Sequence, residues 1–560
     1  MKSLSKLSFC LLLVVLPLPA QLTRGAILGA VQDPSGAVIS NATVTIVSAT
    51  TNQERSTVTN SEGFYRLAGV DPGTYTVRFS APGFAEARVN RLEVTTSQEV
   101  TLNQRLSLGT TASVVDIQDN PPGVELSKST ATVERTFQKT FIDNVATTSQ
   151  TRDVNQLALL APTAVVGPGS TGISINGQRA RNNNFLLDGV DNNDASVTIS
   201  NNRVTPESTG EFQVQSQAYS AEFGRNSGGQ LQVITRSGTN AFHGEAYEYW
   251  QGNSLIPLTL PNKRNGLKST PRFDLNEPGG SLGGPVLRNK LFFFANVETD
   301  RRQEAPSAGN ANSVSIPTPA GFALLSSIPL AAGETASARA ASLNALSFLP
   351  SIYARNPGFF NTRNVTVNGV AVPFGSASIP LANPYVFWLG TGRVDFVATT
   401  RDSLYSRSSV DRRDQPDVIS NLGFGSLFSG SQAISRQNHV LSETHVFSPS
   451  LTNQVSVAFI RSILAFPEND PSDPSTTING AFTIGGASNF PQGRTTNEFE
   501  VLDTASYVLG RHALKFGVNI VRQRLFNTAA FDSKGTYTFS NFADFINNQP
   551  ASLALALNTA

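Results

Sequence analysis

Residues 283–302 read GGPVLRNKLFFFANVETDRR, and the fold of this stretch decides what the rest of the chain can be. Read with a period of two, Leu291, Phe293, Ala295 and Val297 share one face. Phe292, Phe294, Asn296, Glu298 and Asp300 share the other. Such alternation describes a β-strand with one apolar face and one face that turns polar along its length. Gly283-Gly284-Pro285 before it and the corner Arg288-Asn289-Lys290 are turn-forming. The strand fits a soluble sandwich. It also fits one stave of a membrane barrel, with lipid on one side and a wet lumen on the other.

Working outward, the chain has 560 residues, enough for two to four domains. Charged residues make up 15%, against about 25% in an average globular protein, and the net charge is +1, so nothing favours a nucleic-acid partner. Phe outnumbers Tyr 35 to 10, and Gly, Ser, Thr and Asn are abundant, a β-rich composition with long polar loops. Lys2 and Lys6, the apolar run from Leu7 to Leu18 and the small residue Ala20 read as a secretory signal peptide over residues 1–20. Cys10, the single cysteine, lies inside it. The mature chain is therefore expected to lack disulfides and thiolate metal sites. No later apolar run reaches the length of a spanning helix, so a membrane crossing requires a β-barrel.

Three zones follow. In residues 24–110, GAILGAVQDPSGAVISNATVTIVSA (25–49) gives a strand, an Asp33-Pro34-Ser35-Gly36 turn and an alternating strand. Turns at Ser61–Gly63 and Asp71-Pro72-Gly73 repeat the spacing, which predicts a small β-sandwich. These motifs resemble the carboxypeptidase regulatory-like domain, a transthyretin-like sandwich; no zinc-ligand spacing accompanies them. In residues 111–240, Val154, Leu157 and Leu160 have helical spacing that ends at Pro162, and Asn176-Gly177 predicts a hairpin. The Phe/Val/Gln alternation either side of Gly228-Gly229 predicts further strands.

In residues 241–560 the design of the opening stretch recurs. Val455, Val457 and Phe459 oppose Gln454, Ser456 and Ala458; Leu514, Phe516, Val518 and Ile520 oppose Lys515, Gly517 and Asn519. Tight turns at Thr399–Asp402, Ser448–Ser450 and Gly510–His512 alternate with long polar stretches at 301–390 and 463–496. Short turns on one side and long loops on the other fit an outer-membrane barrel, with Phe293 toward lipid and Phe292 and Phe294 toward the interior or an interface girdle. About nine or ten strands are expected after residue 240.

The stretches NGQRARNNNFLLDGVDN (176–192), YSAEFGRNSGG (219–229), TRSGTNAFHG (235–244), SLGGPVLRNKLFFFANVE (281–298), RQNHVLSETHVFSPSLTNQVSVAF (436–459) and GRHALKFGVNI (510–520) together resemble the Oar-like group of TonB-dependent outer-membrane receptors. The resemblance implies a plug domain at 111–240. It also implies a barrel whose first part is 241–560, a front portion of the family's larger barrel, so the chain is expected to be a fragment. Further implications are a TonB-type energy-transducing partner, outer-membrane lipid around the barrel and a bulky solute: carbohydrate, siderophore or peptide. The family keeps its TonB box where Thr111, Val114, Val115 and Ile117 stand; a plain interdomain linker fits the same residues. The sandwich is then periplasmic and the barrel lies in the outer membrane.

His243, His439, His445 and His512 form no metal-ligand pairing. Asp188, Asp191 and Asp194 with Asn192 and Asn193 make an oxygen-rich loop without EF-hand spacing. Gly224–Gly229 lacks the lysine of a phosphate loop, and no GxSxG elbow occurs. No enzyme and no cofactor are expected. Arg179, Arg181, Arg203, Arg225 and Arg236 are candidates to meet barrel carboxylates such as Glu298 and Asp300, or an anionic ligand; Asp188 and Asp191 are candidate plug or lumen polar contacts. The chain is thus expected to be mainly β: a small N-terminal sandwich, an α+β plug and the first part of a large antiparallel transmembrane barrel. Its expected role is energy-coupled uptake, the alternative being a structural or adhesive protein anchored by the barrel.

Overall fold

The computed structural model describes residues 24–556 apart from 110–112, 117–131, 146–151, 168–171, 197–198, 259, 261–262, 264–269, 271–272, 305–311, 355–357, 380–384, 421–427, 468–473, 510–511 and 530. The signal peptide expected at 1–20 lies outside these residues.

The N-terminal module is built from β1 (Gly25–Gln32), β2 (Thr43–Ser48), β3 (Glu54–Val58), β4 (Phe64–Val70), β5 (Gly73–Ser80), β6 (Ala87–Val94), β7 (Glu99–Thr101), β8 (Gln104–Arg105) and β9 (Ser113–Asp116). They form two sheets, β4-β1-β7 with β8 beside β1, and β3-β2-β5-β6-β9. The inward residues Ile27, Val31, Val44, Ile46, Val77, Phe79 and Val89 make the core, with Tyr65 edge-on to Phe79. The Asp33 carboxylate caps the first turn, accepting from the Ser35 and Ala37 amides at 2.8 and 2.9 Å.

The second module contains β10 (Val133–Gln138), β11 (Ala164–Val166), β12 (Ile173–Ile175), β13 (Asn184–Leu187), β14 (Val190–Asp191), β15 (Thr209–Gln217) and β16 (Gln230–Thr235). Its main sheet runs β10-β15-β16-β13-β14. The stretch with helical spacing is a 3-10 segment, Val154–Leu160, that buries Val154 and Leu157 against Phe137, Phe212 and Leu231. The hairpin expected at Asn176-Gly177 does not form. Both residues take positive φ and make a turn, but β12 before it pairs with β11, and the chain continues into the 3-10 turn Ala180–Asn182. The turn chemistry was legible, and the pairing was set by the rest of the plug.

The third module carries the wall strands β17 (His243–Gly252), β18 (Phe273–Leu287) and β19 (Leu291–Glu304). After β20 (Asn312–Pro317), β21 (Phe360–Val367) and β22 (Val370–Ile379) come β23 (Tyr385–Val397), β24 (Asp402–Ser420), β25 (Ser429–Ser448) and β26 (Leu451–Phe466). Then follow β27 (Ser475–Ile478), β28 (Phe482–Ile484), β29 (Gln492–Leu509), β30 (His512–Ala529), β31 (Thr536–Phe539) and β32 (Ser552–Ala554). Nine of these form one antiparallel sheet, β17-β18-β19-β23-β24-β25-β26-β29-β30. Phe292 and Phe294 are buried on its inner face, while Ala295 and Val297 are exposed on the outer one and Phe293 is partly so. Gly238, on the link from plug to wall, passes so close to the Phe293 backbone that a Cβ would lie 2.4 Å from its carbonyl oxygen. Only glycine fits there.

The long stretches between wall strands are not open loops. Those at 312–379, 475–490 and 532–555 fold together into a cap. It has its own sheets, β20-β22-β21 and β28-β27-β31-β32, and short helices at Pro319–Leu324, Ala336–Ala345 and Phe542–Ile546. Val314, Ile316, Leu349, Phe374, Ile478, Phe482, Phe539, Phe542 and Phe545 form a single apolar core. Hydrogen bonds tie one loop to the next: Ser342 to the Phe545 carbonyl at 2.8 Å, Asn368 to Asn547 at 2.9 Å and Arg363 to the Gly480 carbonyl at 2.6 Å.

Candidate functional site

The second module, called the plug from its position, lies against the inner face of the wall, and the contact is largely polar and buried, with one small apolar cluster of Val190, Tyr405, Val440, Ala458 and Ile460. Its centre is the turn after β13. Asp188 sits at φ 50° and is followed by Gly189 at φ 83°. This left-handed pair turns the carboxylate back over the plug sheet and out toward β23 and β24. Asp188 accepts from the Thr235 amide and hydroxyl, both at 2.9 Å, which fixes its rotamer. Arg407 then reaches it from the wall at 3.0 Å and Arg393 at 3.2 Å. Arg407 is fully buried and also donates to the Leu187 carbonyl at 3.0 Å and to Asn438 at 2.9 Å. Tyr405 donates its hydroxyl to the Asp188 carbonyl at 3.0 Å.

Two neighbours extend the line. The Asp191 amide donates to Glu500 at 2.9 Å, its carbonyl accepts from Asn438 at 2.9 Å, and its carboxylate pairs with Arg225. Asp194 takes Arg494 at 2.8 Å. The oxygen-rich loop thus does not converge on one point. Its three carboxylates point to separate arginines, Asp188 to Arg407 and Arg393, Asp191 to Arg225 and Asp194 to Arg494. Burial pushes the Asp191 carboxyl above the usual range, against the opposing pull of Arg225. Asp153, which caps the 3-10 segment by accepting from the Asn155 amide at 3.0 Å, is raised by burial too.

A second cluster holds the plug to β18 and β19. Arg203 meets Glu298 at 3.1 Å and Asp300 at 3.2 Å, with Glu277 at 3.7 Å. Arg152 meets Glu298 at 3.0 Å, pairs with Glu207, and lies with its guanidinium 3.5 Å above the Tyr249 ring. The polar half of the opening stretch is therefore the wall of this contact. Lys515 reaches plug residue Glu222 at 2.9 Å from β30.

Of the residues singled out from sequence, Asp188, Asp191 and Arg203 lie in this contact, and Arg236 meets the wall carboxylate Glu245 of β17 at 3.2 Å, whereas Arg225 pairs with Asp191 within its own module. Arg179 and Arg181 are exposed beside the Ala180–Asn182 turn, and no ion pair joins either to a described wall carboxylate. Thr111 and Ile117 lie outside the described residues. Val114 and Val115 lie in β9, which runs parallel to β6 with Arg88 and Val89 as their register partners. Ser113–Asp116, read from sequence as part of a short extended stretch, is a strand of the sandwich sheet, a pairing that neither the linker nor the TonB-box reading included. Sequence reasoning also missed Arg152, Arg393, Arg407 and Arg494. Period two on β24 was the available signal: Tyr405, Arg407, Ser409 and Asp411 share the buried face. Elsewhere, on β24 and β25, His445 bonds Asp402 at 2.6 Å with Glu443 nearby, a half-buried group.

A plug carrying buried ion pairs inside a sheet whose other face is apolar defines a class: membrane β-barrels with a filled lumen. The comparisons agree. Residues 234–560 match the model of the outer membrane beta barrel domain, and the chain belongs to that family. Residues 26–107 match the carboxypeptidase regulatory-like domain. The TonB-dependent transporter Oar of Myxococcus xanthus is 30% identical over 261 residues, 45% of this chain and 24% of that protein. The outer membrane transporter YddB of Escherichia coli is similar at a TM-score of 0.48 and 11% identity, over 72% of this chain and 50% of that one. The ferric enterobactin receptor PfeA of Pseudomonas aeruginosa, in complex with BCV-L6, gives a TM-score of 0.42 and 13% identity, over 73% and 50%. The chain spans about half the length of those two solved structures, and its match covers about a quarter of Oar. The chain is thus similar over 261 residues to a TonB-dependent transporter, and it joins a carboxypeptidase regulatory-like domain to an outer-membrane barrel domain.

Proposed function

We propose that the chain acts as a TonB-dependent receptor that moves a bulky solute across the outer membrane, its plug displaced by an inner-membrane energy-transducing complex. Residues 24–110, 111–240 and 241–560 act as periplasmic module, plug and wall. The observation that carries this reading is the plug's seat on the wall. Its contacts are mainly ion pairs and hydrogen bonds through Asp188, Asp191 and Arg203, around one small apolar cluster in which Val190 meets Tyr405, Val440, Ala458 and Ile460. Water can replace such contacts when the plug shifts, whereas an apolar joint would expose greasy surface. The coupling segment is 111–117, and the solute is a carbohydrate, a siderophore or a peptide captured by the outer cap. A surface-anchoring role is the second reading, favoured by the folded cap that the loops present outside.

The test is capture of the partner. A full-length receptor carrying Val115→Cys, with Cys10 replaced by Ser, is expressed with a TonB C-terminal domain that carries one cysteine. A disulfide-linked heterodimer is expected. Absence of any heterodimer, together with loss of surface attachment on deletion of the cap, would sink the transporter reading and support the anchor.

A further inference from the structure

The sandwich is bonded at once to the plug and to the barrel rim. On the plug side, the turn Thr95–Gln98 is inserted against β15. Thr96 is fully buried; its amide donates to Glu211 Oε1 at 2.9 Å, and its carbonyl accepts from Gln213 Nε2 at 3.0 Å. Glu93 accepts from Gln138 at 2.8 Å, and the Thr50 carbonyl accepts from the Asn240 amide at 3.0 Å. On the wall side, Arg24 is held by Asp71 at 2.7 Å and points both terminal nitrogens at Ser403 Oγ, each at 3.4 Å, beside the short turn between β23 and β24. Gly69 lies so close to Thr452 on β26 that a Cβ there would come within 3.2 Å of its methyl. Between these contacts the three modules line an open cleft of about 620 Å³, walled by Tyr75 and Thr95 of the sandwich, Lys139 and Arg236 of the plug and Phe292 and Arg393 of the wall.

A body fastened to both sides of a joint resists relative movement across it. We propose that the sandwich is a latch across the plug–barrel joint: it holds the plug in place from the periplasmic side and must release either β15 or the rim before the plug can shift. This assigns the regulatory-like module a mechanical role and deepens the plug-displacement reading, on which it rests.

The test uses neither the TonB partner nor a solute, so its outcome is separable from that of the capture experiment. Purified full-length receptor in nanodiscs, in the C10S background, carries Asn201→Cys. Asn201 is a buried plug residue, 1% exposed. The rate of labelling by membrane-impermeant fluorescein maleimide reports how often the plug separates from the wall. Arg24→Ala with Ser403→Ala releases the rim side and is expected to raise that rate at least tenfold, with heat-dependent gel migration confirming a folded barrel. A second receptor carries Glu93→Cys with Gln138→Cys on the plug side and Arg24→Cys with Ser403→Cys on the rim side, both pairs bridged by a short bis-maleimide after folding and before Asn201→Cys is deprotected from a photocaged cysteine. It is expected to label at least tenfold more slowly than the unbridged form. If the bridged and released receptors both label at the wild-type rate, the latch is wrong. If the released variant fails to fold, the bridged one decides alone.

Discussion

The plug–wall contact and the outer cap are both buried, and they are held by opposite means. At the plug, Asp188, Arg407, Arg203, Glu298 and Asp300 pair across the joint beside one five-residue apolar cluster around Val190. In the cap, Phe374, Phe542, Phe482 and Phe545 pack ring against ring, Phe374 and Phe542 at 4.7 Å. Apolar burial is non-directional and adds stability roughly with area, about 25 cal/mol per Å². Buried ion pairs contribute little net stability, but removing one partner is costly, so they fix position more than they add strength. The difference fits the two tasks. The cap keeps three loops together as one body, and the plug keeps one seat that water can re-solvate when it leaves.

The contrast can be broken in four places. Phe374→Ala should cost the cap about 4 kcal/mol. Limited proteolysis should then cut within 312–379 and 532–555, while heat-dependent migration of the barrel stays unchanged. Arg407→Ala should cost the plug seat about 3 kcal/mol by leaving Asp188 with Arg393 as its one remaining wall arginine. Chemical denaturation followed at the plug should show it, with the cap unaffected. Arg225→Ala should cost less than about 1 kcal/mol, because the Arg225 side chain is 48% exposed and its pair with Asp191 is screened by salt. The same denaturation, repeated at high ionic strength, should erase even that.

The smallest effect concerns pH. Burial raises the pKa of both Asp153 and Asp191 in the folded plug. A carboxyl raised on folding binds protons more readily folded than unfolded. Its cost is therefore present above the folded pKa and relieved as pH falls through it toward the unfolded value. Asp153→Asn keeps the cap to the Asn155 amide. It should stabilise the plug at pH 8 and make no difference near pH 4, as thermal unfolding across that range would show.

The alternation of Phe292, Phe293 and Phe294 was readable from sequence because a strand's period is two whatever it packs against. Arg407 was readable by the same rule, since it shares a face with Tyr405 and Ser409. Its partner was not, because Asp188 is 219 residues away along the chain. The cap left no local trace. Ile316, Phe374, Phe482 and Phe545 stand in polar stretches without sustained periodicity, and they become a core only when separate loops meet. The pairing of β9 with β6 was hidden for a similar reason: a four-residue strand has its partner chosen by tertiary context.

The most direct test is hydrogen exchange on the full-length receptor in nanodiscs with Asp188→Ala. The account predicts that amides in Asn184–Leu187 and Gln230–Thr235 lose protection while those in Asn312–Pro317 and Val370–Ile379 keep theirs. Equal loss in plug and cap, or no loss in either, would contradict it.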